Sequence, residues 1–292
     1  MSQLIKLRRK INSIKTTRKI TFAMRLISMS LYSKLEKINI PINYYEKIIK
    51  TLFEEISLII NKEQNPILFP KDVLNTNPLI ILISSTKGFC GSFNAELFRF
   101  FRRNFFLEEH QKPFFITIGH KAKQFLEQEK LGRSLYNFDT LKTTNYLFIT
   151  NEITKIIMGN ENNFSSITAY SNFFKNFFIQ NPKKTILTPF ELDKKNLHKE
   201  QQKRILDDNL IWEGNKNEIV NFIALKYLRT KILNLLFQSL YSEQASRFLA
   251  MENATSNADK FLEKLTLEYN KSRQSLITKE LLELSASFSA FN

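Results

Sequence analysis

The stretch "YSEQASRFLAMENATSNADKFLEKLTLEYNKSRQSLITKELLEL", residues 241–284, contains neither glycine nor proline, and the same holds for everything from residue 215 to the C-terminal Asn292. Apolar positions recur through it at Ala258, Leu262, Leu265, Tyr269 and Leu276. An earlier stripe runs through Leu225, Leu228, Ile232 and Leu235. Ala245, Ala250, Ala254 and Ala258 add small, helix-favouring residues where two helices can approach closely. Steps of three and four residues are the signature of a coiled-coil seam. Fully helical, this segment reaches ~115 Å at about 1.5 Å per residue. A compact chain of this size has a radius of gyration of only ~19 Å. Such a helix either folds back or projects well beyond a globular part.

The other end carries the same signature. From Met1 to Ile40 there is again no glycine or proline, and Leu4, Leu7, Ile11 and Ile14 step by three and four. Arg18 and Arg25 occupy places through which that seam continues, and the apolar pattern resumes at Ile20, Met24, Ile27, Leu31, Leu35 and Ile38. The two terminal segments therefore pair as an antiparallel coiled coil.

Between them the composition changes. "PLIILISS", "KPFFITIG", "NYLFIT", "SSITAYSNFF" and "KKTILTPF" read as strands, with "AELFRFFRRNFF", "HKAKQFLEQ" and "EITKIIMG" as helices between them. This alternation predicts a βαβ sheet domain. The polar stretch from Leu192 to Asn209 reads as a loop or a short solvated helix. The expected architecture is an α/β domain, residues 75–205, inserted between two long terminal helices, residues 1–60 and 210–292, that form an antiparallel coiled coil.

Composition narrows the function. The 292 residues carry a formal net charge of +15, which favours acidic partners such as nucleic acid, anionic lipid or an acidic protein surface. The abundance of Phe, Ile, Asn and Lys also matches an AT-rich genome, so part of the charge reflects codon bias. The single cysteine excludes an intrachain disulfide and suits a reducing compartment. No apolar run approaches the roughly 20 residues that span a bilayer, so we expect a chain outside the membrane or at its surface. The N-terminus has no acidic residue before Glu36. Arg-rich, Ser-bearing, amphipathic and acid-poor, it also reads as a mitochondrial transit peptide.

Three features invite a chemical reading. The turn "SSTKGFCGSFN", residues 84–94, joins an apolar strand to a helix and holds Gly88, Cys90 and Gly91. A phosphate-binding P-loop requires a lysine and a hydroxyl directly after its second glycine, and a dinucleotide fingerprint requires a third glycine; neither is present. The bland reading, a sharp structural turn, is favoured. Cys90 as a nucleophile needs a base, and His110, His120 and His198 show no spacing that supplies one. No metal-ligand spacing and no carboxylate pair stands out, so the sequence calls for no catalytic residue, no metal and no cofactor. Finally, Arg8, Arg9, Lys10, Lys15, Arg18, Lys19 and Arg25 make a basic helix. Its charges fall on several faces without interleaved aromatics, leaving a solvated face, an acidic protein partner or a nucleic-acid backbone as readings.

Three stretches together resemble the gamma subunit of the rotary F-type ATP synthase. "LRRKINSIKTTRKITFAMRLIS" is similar to that family's opening, through Ile11, Ser13, Thr17, Lys19, Ile20, Thr21, Ala23 and Met24. The turn resembles the family loop through Ser85, Gly88, Cys90, Gly91 and Asn94. The C-terminal stretch matches at Glu243, Arg247, Met251, Thr255, Asn257, Tyr269, Asn270, Arg273, Gln274, Thr278 and Glu280, among others. Thr86-Lys87, Phe22, Glu252-Asn253 and Gly214 depart from the family pattern.

The resemblance implies a non-catalytic rotor shaft whose coiled coil stands inside an alpha3beta3 hexamer. Its sheet domain would sit with the epsilon subunit on the membrane c-ring, with no nucleic acid and no small-molecule substrate. It implies that the basic N-terminus is the family's coil helix, and that Gly88, Cys90, Gly91 and Asn94 form a structural turn. Arg8, Arg9, Met24, Arg273, Gln274 and Thr278 become the expected contacts with the hexamer. The implied location is peripheral, at the cytoplasmic face of a bacterial plasma membrane or the matrix face of the mitochondrial inner membrane. A gamma-like shaft of a repurposed F1-like motor is the alternative within the resemblance.

Overall fold

The computed structural model describes residues 2–57, 77–105, 113–159, 164–190 and 214–289. Two long helices, α1 (Ser2–Ser57) and α5 (Lys216–Ser289), flank a sheet domain, as the sequence predicts. Between them lie β1 (Asn77–Ile83), α2 (Phe93–Phe105), β2 (Phe114–Ile118), α3 (His120–Glu129), β3 (Arg133–Phe138), α4 (Tyr146–Met158), β4 (Phe164–Asn176) and β5 (Ile179–Thr188). The polar 192–209 stretch, His110 and His198 lie outside the described residues.

The chain divides into two compact units, one from Met1–Met29 with Arg247–Asn292, the other Ser30–Ser246. In the second, the sheet order is β3-β2-β1-β4-β5. β1 pairs in parallel with β2 and β4, β2 with β3, and β5 closes the sheet as an antiparallel hairpin on β4. The hairpin turn is set by Asn176, whose Oδ1 accepts from Phe178 N at 3.0 Å and Ile179 N at 2.8 Å.

β1 is buried on both faces, which is why it reads as an unbroken apolar run. Leu79, Ile81 and Ile83 join Ile149, Ile153 and Ile157 of α4 and Leu35, Leu228, Ile232 and Leu236 of the long helices. On the opposite face, Ile80 and Leu82 meet Leu97 and Phe101 of α2 and Phe125 and Leu126 of α3. Each such side chain contributes roughly 1.5–3 kcal/mol by leaving water. A third cluster stacks Phe53 on Tyr227, ring centroids 4.4 Å apart.

Two sheet-domain readings need correction. "NYLFIT" is the start of α4 rather than a strand. Its buried positions, Ile149, Ile153 and Ile157, step by four, and the run continues into the "EITKIIMG" helix without a break. β3, "RSLYNF", was not read as a strand; it is a short edge strand with charged and polar residues and carries no clean alternation.

The seam on α1 also differs from the sequence reading. Ile20, Ile27 and Ile38 are 55%, 60% and 38% exposed, so they lie off it. The buried or half-buried positions instead run 4, 7, 11, 14, then Thr21, Arg25, Ser28, Tyr32, Leu35, Asn39, Ile42, Glu46, Ile49, Phe53 and Ile56. With Arg18 this is one unbroken heptad series. It passes through polar residues where the eye moves to nearby isoleucines. Pro41 lies inside the helix, on its exposed side.

Candidate functional site

In the unit formed by Met1–Met29 and Arg247–Asn292, three cross-helix pairs define the register. Arg18 ion-pairs with Asp259 and Arg25 with Glu252. Between them Thr255 Oγ1 donates to Thr21 Oγ1 at 2.9 Å, and Thr21 Oγ1 donates on to the Arg18 carbonyl at 3.0 Å. Moving from residue 18 to 25 on α1 moves from 259 to 252 on α5, so the helices are antiparallel and in step by one heptad. On α5 the inward positions are Phe248, Met251, Thr255, Ala258, Leu262, Leu265, Tyr269, Ser272 and Leu276, each half-buried or buried. The stripe read from the sequence at Ala258–Leu276 is therefore the seam.

The arginine pairs are half-exposed, with Arg18 and Asp259 at 45% and 50%. Each is worth roughly 0.2–1 kcal/mol. Reversing both arginines (Arg18→Glu with Arg25→Glu) places four carboxylates along one segment. We expect faster amide exchange in residues 14–28 and 250–262 by hydrogen-exchange mass spectrometry, largely reversed by Asp259→Arg with Glu252→Arg.

The residues expected to meet partners are presented to solvent. Arg8, Arg9, Arg273, Gln274 and Thr278 are exposed, and Met24 is half-buried. Thr278 Oγ1 donates only to its own helix, at Gln274 O (3.0 Å). The apolar side chains Leu267, Leu281, Leu282 and Leu284 of α5 are also 56–66% exposed. Those exposed leucines were not singled out in the sequence, because a seam search selects the positions that face inward.

In the unit Ser30–Ser246, the turn after β1 lies where a doubly wound sheet holds a nucleotide, at the reversal of strand order between β1 and β4. Here the polar groups of the turn are engaged internally. Asn94 accepts from Ser85 N at 3.1 Å and donates to Ser85 Oγ at 2.7 Å and Cys90 Sγ at 3.3 Å. Ser85 Oγ donates to Lys87 O at 2.7 Å. Asn172 of β4 donates to Phe93 O, and Ser246 of α5 donates to Cys90 O at 2.8 Å. Cys90 is 2% exposed.

Gly91 takes a positive φ of 58°, as a sharp turn requires, but the second left-handed residue is Phe89 (φ 64°). Gly88 is not among the positive-φ residues, and a Cβ on it would meet nothing within 4 Å. The four residues read as a structural turn are thus brought together in one turn, with Gly88 its least constrained member. His120 stands exposed at the start of α3. Among the described residues no group of three or more His, Cys, Asp or Glu is placed to hold a metal ion.

Two tyrosines have hydroxyls pushed well above the ordinary range. For Tyr241 the cause is burial first, then its hydrogen bond with Tyr32; for Tyr227 it is burial, then the charges of Glu54 and Glu46. The unfolded chain would lose these protons first. Their contribution to stability is therefore whole below pH ~10 and declines above it, outside physiological conditions.

The profile of the ATP synthase family matches residues 3–291. The ATP synthase gamma chain of Pelagibacter ubique is 32% identical over 97% of this chain and 98% of its own length. The chain belongs to the ATP synthase gamma-chain family. A second gamma chain, from Rickettsia prowazekii, is also 32% identical, over 98% of both. Among solved structures, a chain of the Euglena gracilis mitochondrial ATP synthase, from a structure of OSCP, F1 and c-ring, superposes with a TM-score of 0.68. It is 17% identical and covers 99% of this chain and 95% of that one. The fold of two long terminal helices around a sheet domain is thus common to both. No described helix of this gamma-family chain is long and apolar enough to cross a membrane.

Proposed function

We propose that the chain is the central-stalk shaft of an F-type ATP synthase, itself non-catalytic, coupling rotation of a membrane ring to conformational cycling of the beta subunits. In this reading residues 1–60 and 210–292 form the shaft and residues 75–205 the foot. The alpha3beta3 hexamer surrounds the coil, and the epsilon subunit and c-ring meet the foot. The complex sits at a membrane, on the cytoplasmic face in a bacterium. The observation that carries the reading is the in-step antiparallel coil, polar at its Arg18–Arg25 stretch, in a chain of this family.

Continuous helices without glycine over α1 and α5 suit a part that transmits torque. An asymmetric rod that touches three like partners differently biases their conformational equilibria, which is all a mechanical effector does. Arg8, Arg9, Met24, Arg273, Gln274 and Thr278 are the proposed hexamer contacts. The exposure of all of them but the half-buried Met24 supports this. Exposed polar contacts of ~0–1 kcal/mol suit a surface that makes and breaks them every turn.

Single alanine substitutions at Arg8, Arg9, Arg273, Gln274 or Thr278 are accordingly expected to change ATPase turnover of the assembled complex by less than about fivefold, with assembly intact. Combining Arg8→Ala, Arg9→Ala and Arg273→Ala should lower it more than any single change. The reading itself is tested by purifying the nuclease-treated assembly through a tag on this chain. Recovery of alpha, beta, epsilon and membrane-ring subunits with ATPase activity is expected. Alpha-like and beta-like chains without a ring would instead indicate a repurposed motor, and nucleic acid alone would overturn the assignment.

A further inference from the structure

Within the unit Ser30–Ser246 the sheet domain holds the two long helices unequally. α5 supplies seven buried side chains to the main core, from Leu228 to Ala245, whereas α1 supplies two, Tyr32 and Leu35. Beyond residue 35, α1 meets α5 largely through polar groups. Gln238 donates to Asn39 Oδ1 at 3.1 Å and to Asn43 Oδ1 at 3.3 Å, and Lys231 pairs with Glu46 at 3.1 Å. Those contacts tie α1 to its neighbour helix rather than to the sheet.

Aromatic rings at the two ends of the β4–β5 hairpin reach both helices. At the hairpin tip, Phe177 meets Tyr32 of α1 edge-on, ring centroids 4.9 Å apart, and Phe174 lies 4.1 Å from Tyr241 of α5. Tyr32 and Tyr241 stack on each other at 4.7 Å, so the tip grips both helices at once. Just beyond β5, Phe190 meets Phe53 of α1 edge-on at 4.7 Å and Tyr227 of α5 at 5.4 Å, against the Phe53–Tyr227 stack. Each clasp thus joins one ring from each long helix to phenylalanine from the hairpin. Tyr32 and Phe53 stand three heptads apart on α1, ~32 Å at about 1.5 Å per residue. One contact leaves a body free to swivel about it; two so widely spaced do not.

We propose that the β4–β5 hairpin is the joint that fastens α1 to the sheet domain through these two clasps, so that both long helices, and not α5 alone, turn with it. Ring pairs suit a joint because edge-on and stacked aromatics add a preferred orientation to apolar burial. The fastening stands on packing within this unit; its part in turning rests on the rotor reading.

The test is hydrogen-exchange mass spectrometry of the purified full-length chain, one clasp at a time. Phe177 and Phe190 are half-buried, so removing either ring leaves the fully buried core in place. Phe177→Ala should speed exchange about fivefold or more in residues 30–38 and leave 46–57 as in the parent; Phe190→Ala should do the reverse. In both variants α5 from 228 to 245 and β1 should exchange as in the parent. Ile186→Ala, at an exposed hairpin position outside the clasps, should change neither segment of α1. Unchanged exchange in α1, or equal loosening of α1 and α5, overturns the fastening. With Phe177→Ala and Phe190→Ala combined, the membrane complex isolated through this chain should keep its ATPase activity while the ion gradient built per ATP falls at least about twofold. An undiminished gradient overturns the joint's part in turning. If the parent chain isolates no such complex, the rotor reading fails and the exchange result is unaffected.

Discussion

Gly119→Ala is expected to destabilise the sheet domain by at least about 3 kcal/mol. Gly119 directly follows β2 with φ 89°, and a Cβ there would stand 2.3 Å from the carbonyl oxygen of Ser84 and 2.8 Å from that of Ser85. The obstacle is backbone, and the backbone is pinned on every side. Ser84 N donates to Ile118 O at 2.8 Å, Gly119 N to Phe138 O at 2.8 Å, and Ala122 N to Ser84 Oγ at 2.7 Å. Relief requires parting β1 from β2 or β2 from β3. Left-handed strain on a side-chain-bearing residue costs of order 1–3 kcal/mol and overpacking a further 1–3. Gly88→Ala is the matching control, since its Cβ would meet nothing within 4 Å. Urea unfolding followed by circular dichroism should show Gly88→Ala within about 0.5 kcal/mol of the parent and Gly119→Ala far below it.

A second large effect separates two neighbouring residues of α1. Leu35 is fully buried in the main core and Ile38 is 38% exposed. Leu35→Ala should cost about 2–5 kcal/mol, through lost transfer energy and the cavity left among tightly packed neighbours. Ile38→Ala should cost less than about 1 kcal/mol, because water already reaches much of the side chain. The same urea experiment reads both. Equal losses would mean that the seam does not pass through Leu35 and Asn39.

That pair of residues also shows where a sequence stops being legible. Both lie on a plausible three-four pattern, and period alone cannot separate two apolar series offset by a few residues on one helix. The deciding information is in α5. Arg18 and Arg25 belong on the seam because Asp259 and Glu252 await them, and such pairing appears only once the register is known. The α5 stripe was readable because Ala258, Leu262, Leu265, Tyr269 and Leu276 keep the three-four spacing, although Phe261, Leu267 and Ile277 stand beside it and are exposed.

In the sheet domain, β1 was legible from burial on both faces, and β2, β4 and β5 from their apolar runs between turns. The start of α4 misled because a short apolar run suits either a buried strand or a buried helix. The turn at 84–94 was legible as a turn, and its residue types excluded a P-loop. What no spacing could reveal was that Asn172 and Ser246, 78 and 152 residues beyond Asn94, complete its hydrogen bonding. The proposed hexamer contacts rest on family resemblance and, Met24 apart, on solvent exposure, since contact with a partner leaves no mark on the fold of one chain.

The most direct test of the central claim is rotation itself. The complex isolated through this chain would be fixed to a surface by its beta subunits, with a probe attached to the sheet domain at an introduced surface cysteine in a Cys90→Ser background. If the chain is the shaft, ATP should drive continuous rotation of the probe in one direction, stopped when the coil is cross-linked to a beta subunit. ATP hydrolysis that proceeds with the probe stationary and the chain still bound would contradict the account.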